Sequence, residues 1–280
     1  MTSERSNNDN RDYVLGVDSD ELARLGFQHH IWGAETAALW RRAGVATGQT
    51  ILDLGAGPGF ASIELARLVT PAGRVVAIDK AQPYLDHLDR QQAAGATSGN
   101  IQTICAEAGA FDIEAVSIDV AFARWLMCFT PEPGSVVERV ARALKPGGVF
   151  AVMDYYNYLL HGFHERTVVF ERVIAAASKS FEAQGGEANI GNRLPALLLE
   201  AGLVVRDIRP LVKIATPGSM LWNWPHSFWK LFTPKLASMG MITQQDCDDY
   251  LKEWDMRSRQ PGAFFSTPPM VQIVAVKPTT

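Results

Sequence analysis

The pattern of apolar and polar positions divides the chain into a regularly alternating part and a less regular part. Short apolar runs at 50–54, 74–78, 101–105, 118–123 and 149–153 alternate with segments of helical periodicity, and a sharp turn is predicted over 145–148, before the fifth run. A short continuous apolar run indicates a strand buried on both faces, whereas apolar residues at i, i+3, i+4 and i+7 indicate an amphipathic helix. Strands that alternate with helices predict a parallel sheet covered by helices.

The first part of the chain is predicted to lie outside this sheet. Residues 1–12 are polar and predict a disordered tail. Apolar residues recur at helical spacing over 18–43, and breaks at Gly26 and Gly33 are expected to divide this stretch into two or three pieces. The segment 13–48 is therefore interpreted as an N-terminal helical cover.

The second half follows a different rhythm. Helices are predicted at 161–184 and 191–201, and strands at 203–209 and 271–276. The connection between these two strands has about 60 residues, which is too long for a plain loop in a compact domain. It is rich in tryptophan and phenylalanine, so it predicts a helical cap inserted before the last strand.

These elements give a division into a core and a cap. The core is predicted to span 49–210 together with 271–277. The cap and substrate region is predicted to comprise 155–190 and 211–268.

Composition narrows the classes of function. The 280 residues carry 26 lysines and arginines against 30 aspartates and glutamates, a formal net charge of −4. This mild acidity does not indicate the basic surface that nucleic-acid binding normally needs, so no nucleic-acid partner is expected. No signal peptide precedes the first helix and no apolar run approaches the roughly 20 residues of a membrane span, so a cytoplasmic address and no membrane partner are expected. Cys105, Cys128 and Cys247 form no CxxC pair, and no metal is expected.

A glycine-rich turn after the first strand carries the strongest chemical signal. The run from Ile51 to Gly59 reads ILDLGAGPG, in which glycines allow a tight turn and close approach of a ligand. Asp79 ends the second predicted strand about 20 residues later, where a carboxylate can accept both hydroxyls of a ribose. An adenosine-type cofactor is therefore expected at the carboxyl edge of the sheet.

Two residues favour S-adenosylmethionine over NAD as this cofactor. The dinucleotide fingerprint places a third glycine at position 60, which is Phe60 here. Asp53 would repel a pyrophosphate beside the glycine turn and would attract the ammonium group of a methionine moiety. The alternative interpretation of Asp53 is a cap of a turn or helix.

The ordered motifs resemble those of class I S-adenosylmethionine-dependent methyltransferases, over roughly 28–154 and again in the last two strands. Within that superfamily the chain is similar to the branch of ubiquinone-biosynthesis methyltransferases and small-molecule methyltransferases. The resemblance implies a Rossmann-like, doubly wound, seven-stranded and mostly parallel sheet whose last strand is antiparallel. It also implies S-adenosylmethionine as methyl donor and S-adenosylhomocysteine as product.

The resemblance also implies a set of cofactor-binding residues. Glu107 stands where most members of the family have an aspartate against the adenine amino group. The full set expected to bind cofactor is Gln28, His29, Asp53, Gly55, Ala56, Gly57, Asp79, Lys80, Glu107, Ala108, Arg124 and Trp125. Two alternatives stay open: Glu107 could be a plain loop carboxylate, and Arg124 could pair with Asp119 or Glu138.

Three residues in the regions expected to cover the site are candidate general bases, namely His161, His226 and Tyr156. His161 and His164 are three residues apart and would share one face of the predicted helix, which leaves a metal site as a weaker alternative.

The sequence therefore predicts methyl transfer to a small-molecule acceptor through an O, N or C nucleophile, with an aromatic or polyketide-like metabolite as one class. A homodimer is possible. The alternative is an S-adenosylmethionine-binding enzyme that catalyses a non-methylating reaction such as cyclisation or decarboxylation. A non-catalytic subunit and an NAD-dependent oxidoreductase fit the motifs less well.

Overall fold

The computed structural model describes residues 19–279, so the predicted tail over 1–12 and the start of the predicted N-terminal cover lie outside the described part of the chain. The strands of the described residues are β1 (Thr50–Leu54), β2 (Arg74–Asp79), β3 (Ile101–Cys105), β4 (Ile118–Arg124), β5 (Leu144–Tyr155), β6 (Gly162–Phe163), β7 (Val204–Leu211), β8 (Ile214–Ala215), β9 (Phe265–Ser266) and β10 (Met270–Val276). The α-helices are α1 (Ser19–Ile31), α2 (Gly33–Ala43), α3 (Phe60–Val69), α4 (Gln82–Ala93), α5 (Pro133–Ala143), α6 (Val168–Glu182), α7 (Leu194–Glu200), α8 (Met220–Ser238) and α9 (Gln244–Arg257).

Seven strands form one sheet in the order β3-β2-β1-β4-β5-β10-β7. Neighbours among β1 to β5 pair in parallel, whereas β10 runs antiparallel to both β5 and β7. The predicted mostly parallel sheet with an antiparallel last strand is confirmed. At the start of β10, Met270 pairs with Leu211 of β7 on one side and with Tyr155 of β5 on the other.

The sheet is buried on both faces, which explains its continuous apolar runs. In β1, Ile51 packs into the apolar cluster that includes α2 and α3, while Leu52 and Leu54 belong to the cluster on the opposite face. All three side chains are fully buried. The chain order of the sheet reverses between β1 and β4, and open α/β sheets bind ligands at such a point.

The predicted break at Gly26 is wrong, because α1 runs through it from Ser19 to Ile31. Gly26 instead allows close packing, since an added Cβ would lie 3.1 Å from Cζ of Phe60. The break predicted at Gly33 is confirmed, with α2 beginning there.

The start of β5 also differs from the prediction of a turn over 145–148 and a strand from Val149. The strand begins at Leu144, which pairs with Ile118 of β4. The register then shifts, Gly147 adopts a φ of +79°, and its N–H donates to the carbonyl of Lys277 at 2.8 Å. The predicted turn is thus an irregularity within a paired strand.

The helix predicted from His161 begins only at Val168, because Thr167 caps it. The Thr167 hydroxyl accepts a hydrogen bond from the backbone N–H of Phe170 at 3.2 Å. His161 and His164 flank the short strand β6, so their predicted placement on one helical face is wrong.

The long connection before β10 contains the two helices α8 and α9. Strands β6, β9 and β8 form a separate three-stranded sheet beside them. Helix α8 packs against α1 and α9, and it carries Pro225 and Pro234 within its length. The large apolar cluster extends from the main sheet into this region, so the cap and the sheet share one core.

Over the described range, no helix is both long and apolar enough to cross a membrane.

Candidate active site

A cavity of about 1050 Å³ lies at the carboxyl ends of β1, β2, β4 and β5, and residues of α1 and α8 complete its wall. What we call the glycine end is lined by Asp53, Gly55, Ala56, Gly57, Asp79, Lys80, Glu107 and Ala108. What we call the aromatic end is lined by Tyr155, Tyr158, His161, Phe181, Phe228, Trp229 and Phe232.

The glycine turn after β1 depends on backbone conformations that favour glycine. Gly55, Gly57 and Gly59 have φ angles of +68°, +53° and +83°. An added Cβ on Gly57 would meet no atom within 4 Å, whereas one on Gly59 would lie 2.4 Å from Cδ1 of Leu88. A ligand can therefore lie close to the backbone at Gly57. At Gly59, the absence of a side chain allows Leu88 of α4 to pack against the turn.

The carboxylate of Asp79 is held by two backbone donors. Oδ2 accepts from the N–H of Gly57 at 2.8 Å, and Oδ1 accepts from the N–H of Ala81 at 2.9 Å. Burial raises the pKa of Asp79 in spite of these bonds. Each oxygen keeps lone-pair capacity, and a carboxylate so fixed suits a ligand with two adjacent hydroxyl groups.

Asp53 is a buried carboxyl group in the cavity wall, with 2% of its surface exposed. Ser62 donates its hydroxyl proton to Oδ2 at 2.5 Å. Burial raises the pKa of Asp53 from 3.8 to about 6, although Ser62 and the nearby Arg124 oppose the shift. A cationic ligand group beside Asp53 would favour its ionised form.

Glu107 and Lys80 lie at the rim of the glycine end. The Lys80 ammonium is 3.8 Å from Oε1 of Glu107, whose side chain is 65% exposed. This pair is solvated, so it contributes little to stability, and the carboxylate is accessible to a ligand.

Arg124 at the end of β4 presents a guanidinium group to the cavity. It donates to Oγ1 of Thr36 at 2.8 Å and to Nδ1 of His29 at 3.0 Å. Burial lowers the pKa of Arg124 to about 10, so it remains a cation at neutral pH. Pairing with Asp119, left open by the sequence, is wrong, because Asp119 contacts Lys145 at 2.8 Å.

His29 lies behind Arg124 and is absent from the cavity wall. Because a guanidinium only donates, Nδ1 of His29 accepts and Nε2 carries the proton. Nε2 lies 3.1 Å from Oε1 of Glu64, and this contact is the main reason that the pKa of Glu64 is lowered. Thr36 and Glu64 were not identified from the sequence, because periodicity does not show which side chain a helix turns toward a distant strand.

Gln28 connects α1 with α8 in the cavity wall. Its Oε1 accepts from Nη1 of Arg24 and from Nε1 of Trp224, both at 3.0 Å. The N-terminal helix and the cap are thus joined through one amide oxygen.

Trp125 connects the two ends of the cavity. Its φ of +52° is unusual for a bulky residue and costs about 1–3 kcal/mol. The indole ring stacks with Trp224 at 6.3 Å and with Tyr155 at 6.4 Å between ring centroids, and Nε1 donates to Sδ of Met270 at 3.0 Å. These contacts hold the ring against the backbone strain.

Only one of the three candidate bases, His161, lines the cavity. The ring of His226 stacks on Trp254 instead, with centroids 5.3 Å apart. The backbone of Tyr156 bonds to Pro269, and its side chain does not reach the wall.

His161 is a buried, neutral histidine. Its Nδ1 bonds to the carbonyl oxygen of Tyr158, and its ring stacks on Trp229 with centroids 5.7 Å apart. Burial lowers the pKa of His161 to about 4. Its Nε2 has no hydrogen-bond partner among the described residues.

Aromatic side chains from separate segments line the cavity together with this histidine. Trp224, Phe228, Trp229 and Phe232 come from the stretch that the sequence marked as a cap. Phe181 of α6 was not identified, because its position on an apolar helical face gives no sign of a cavity. Within residues 19–279, no group of three histidine, cysteine, aspartate or glutamate side chains could hold a metal ion.

Known proteins with similar sequences include several methyltransferases. The profile of a methyltransferase domain matches residues 51–148. An arsenite methyltransferase of Halobacterium salinarum is 27% identical over 196 residues, which are 70% of this chain and 47% of that protein. A demethylmenaquinone methyltransferase of Lactococcus lactis is 32% identical over 136 residues, which are 48% of this chain and 52% of that protein.

The fold is also found in solved structures. The cyclase SpnF has a TM-score of 0.54 at 16% identity, over 88% of this chain and 82% of that chain. At this identity the likeness concerns the fold alone. The chain spans about half the length of the curated relatives it matches.

Proposed function

Because the chain belongs to the class I S-adenosylmethionine-dependent methyltransferases through its domain at residues 51–148, we propose that it transfers a methyl group from S-adenosylmethionine to a small molecule. One observation carries the proposal. A single cavity connects a glycine turn and its acidic partners with an enclosed aromatic region. A donor and an acceptor can therefore meet within one cavity. The cavity volume of about 1050 Å³ exceeds the roughly 300–1,000 Å³ that is typical of a site for one ligand.

The glycine end fits the adenosine part of this cofactor. Asp79, held by the turn itself, would accept the two ribose hydroxyls, and Gly55, Ala56 and Gly57 would lie against the ligand. Glu107 would accept from the adenine amino group, with Lys80 and Ala108 beside it.

Asp53 and Arg124 fit the methionine part by charge. The carboxylate would attract the ammonium group, and the guanidinium would donate to the carboxylate group of the ligand. We assign His29 a positioning role, because it contacts Arg124 rather than the cavity. Gln28 and Trp125 would close the wall next to the sulfur.

The bound cofactor supplies an activated methyl group on its sulfonium centre. The acceptor atom forms a bond with the methyl carbon as the methyl–sulfur bond breaks, and the electron pair of that bond stays on sulfur. The chain contributes alignment and exclusion of water, which are the main requirements for such a displacement.

The aromatic end supports a planar, apolar acceptor, in keeping with the named substrate of the demethylmenaquinone relative. Arsenite fits less well, because soft metalloid ions bind thiolates. Cys128 and Cys247 are buried apart from the wall, and Cys105 lies exposed at the end of β3, also outside the wall.

A calorimetric titration with S-adenosylhomocysteine tests the cofactor assignment. We expect one saturable site in the unmodified protein and about a hundredfold loss of affinity in Asp79→Asn, since two charge-assisted bonds to the ribose are weakened. Asp248→Asn, an exposed carboxylate of α9, is the matched control. Binding of NADH in place of S-adenosylhomocysteine would contradict the proposal.

The non-methylating alternative is separated by product analysis. The likeness to a cyclase means that the fold alone does not decide between the two reactions. We expect one S-adenosylhomocysteine for each methylated product. Turnover of an acceptor without formation of S-adenosylhomocysteine would favour the alternative.

A further inference from the structure

A buried carboxylate near the end of β5 holds the segment that follows β4. Asp154 is fully buried, and no cationic side chain of the described residues acts on it. Its Oδ2 accepts from the backbone N–H of Cys128 at 3.2 Å, and its Oδ1 accepts from the N–H of Tyr155 at 2.9 Å. The N–H of Met127 and the thiol of Cys128 donate to the same carboxylate. The first turn after β4 therefore satisfies most of this buried group.

The segment held in this way forms the part of the cavity wall next to the glycine turn. Trp125 and Leu126 both line the cavity. Leu126 lies against Gly55, where an added Cβ would come within 3.0 Å of Cδ1 of Leu126. The N–H of Trp125 donates to the carbonyl of Met153 at 2.9 Å. Strand β5 thus fixes the segment twice, by the backbone of Met153 and by the side chain of Asp154.

Trp125 requires this support because its backbone is strained. A φ of +52° on a bulky residue persists only where the surrounding structure holds it. Met127 and Cys128, which bond to the carboxylate, follow closely in the chain and are fully buried. Without these bonds Trp125 could relax to an ordinary conformation, and Leu126 would move away from the glycine turn.

The far side of the segment is held independently of Asp154. The carbonyl of Cys128 accepts from the N–H of Glu187 at 2.9 Å. Phe129 stacks on Phe181 of α6 with ring centroids 5.0 Å apart. Loss of the carboxylate should therefore loosen residues 125–127 and leave the wall of the aromatic end in place.

We propose that Asp154 is a positioning residue for the methyl donor. Its carboxylate fixes Trp125 and Leu126 against the glycine turn before the donor binds, so that binding need not order this part of the wall. The inference rests on the proposed methyl transfer, because it concerns binding of the same cofactor. Asp154 acts through its neighbours, since it lies outside the cavity wall.

Calorimetric titration with S-adenosylhomocysteine measures this role. Asp154→Asn keeps the size of the side chain but turns one accepting oxygen into a group that only donates, so we expect about a tenfold loss of affinity. Asp246→Asn is the matched control. Asp246 is also a buried carboxylate that accepts a backbone N–H, from Thr243 at 3.1 Å, but it lies on α9 outside the wall. Its affinity for S-adenosylhomocysteine should change less than about twofold.

Amide hydrogen exchange shows whether the loss arises in the held segment. In Asp154→Asn we expect exchange over residues 125–128 to be about tenfold faster, while exchange in α9 stays unchanged. Saturation with S-adenosylhomocysteine should slow exchange over 125–128 again, because the ligand orders what the carboxylate no longer holds. A general loss of stability would instead raise exchange in both regions.

A spectroscopic titration needs no variant and so does not depend on whether Asp154→Asn folds. Burial raises the pKa of Asp154 to about 6, and the facing Cys128 thiol and Tyr155 phenol have raised pKa values and stay neutral there. If the donor prefers the ordered segment, S-adenosylhomocysteine must favour the ionised carboxylate. With ¹³C-labelled aspartate, the pKa of Asp154 is expected to fall by about one pH unit when the ligand binds.

These measurements separate the inference from the proposed function. An unchanged affinity in a folded Asp154→Asn, or a pKa of Asp154 that the ligand does not alter, would overturn the positioning role. Failure of S-adenosylhomocysteine to bind the unmodified protein would instead contradict the proposed function.

Discussion

The glycine end of the cavity is assembled from one backbone turn and from side chains at the ends of adjacent strands, whereas the aromatic end collects side chains from β5, the segment between β5 and β6, α6 and α8. At the glycine end, Asp79 bonds directly to the turn that it faces. At the aromatic end, Phe181 and Trp229 are brought together only by packing of the cap. The glycine end is polar and is formed by segments that are neighbours in the sheet, whereas the aromatic end is apolar and is formed by segments far apart in sequence. The two ends should therefore respond differently to substitution.

The largest effect is expected from Arg124→Ala. Loss of the guanidinium removes a charge-assisted bond to the ligand and leaves Asp53 without its neighbouring cation, so the affinity for S-adenosylhomocysteine should fall about a hundredfold. Calorimetric titration measures it. Arg142→Ala on α5, an exposed arginine outside the cavity wall, is the control. An unchanged affinity would remove Arg124 from the proposed site.

A smaller effect, confined to the aromatic end, is expected from Phe228→Ala. This half-buried ring lines the cavity, and its loss should weaken binding of 2-naphthol, used as a planar apolar probe of the aromatic end, about tenfold through lost aromatic contact. The affinity for S-adenosylhomocysteine should change less than twofold. A parallel loss of both affinities would show that the two ends are not separable.

The pH dependence should also distinguish the ends. Burial raises the pKa of Asp53 to about 6, so the protonated form becomes the major one as the pH falls through 6. A protonated, neutral Asp53 is favoured in the ligand-free protein and no longer attracts the ammonium group of the ligand. The affinity for S-adenosylhomocysteine should therefore fall up to tenfold per pH unit below 6. In Asp53→Asn this dependence should weaken. The pKa of His161 is about 4, so binding of 2-naphthol should stay constant down to pH 5.

The smallest effect is expected from His29→Phe. Arg124 would lose one of its two named acceptors but would keep Thr36, so its orientation loosens while its charge remains. We expect a three- to fivefold loss of affinity for S-adenosylhomocysteine, roughly 1 kcal/mol. His29→Gln, which offers an acceptor oxygen, should recover part of it. A loss as large as that of Arg124→Ala would indicate direct contact with the ligand.

The difference between the ends also explains how far the sequence could predict each. The turn from Gly55 to Gly59 and the carboxylate of Asp79 lie at the ends of two strands. Because these strands are parallel neighbours, their ends lie side by side, and the sequence alone predicts that the two groups are close. Eleven of the twelve residues expected to bind cofactor, all but His29, line the cavity. Helical spacing predicts that His29 lies on α1, but it does not show that the side chain of His29 contacts Arg124 rather than the cavity.

The aromatic end was less predictable, because it depends on tertiary packing. The apolar pattern after β5 predicts a helix from His161, but Thr167 is the N-cap residue of α6, so the helix begins only at Val168. The aromatic residues of α8 were recognised, but their periodicity equally fits a buried helical face. Only the folded chain distinguishes Phe228, in the cavity wall, from His226, which is turned toward Trp254.

The pairing of Leu211 with Met270 has an evolutionary consequence. The segment that contains α8 and α9 leaves the sheet and returns to it at facing positions of two hydrogen-bonded strands. An insertion anchored in this way can be lengthened, shortened or exchanged without moving the strands that carry Asp53, Asp79 and Arg124. A lineage that inherits this sheet can therefore acquire new chemistry by replacing one contiguous stretch of gene, while the part that selects the donor is passed on unchanged.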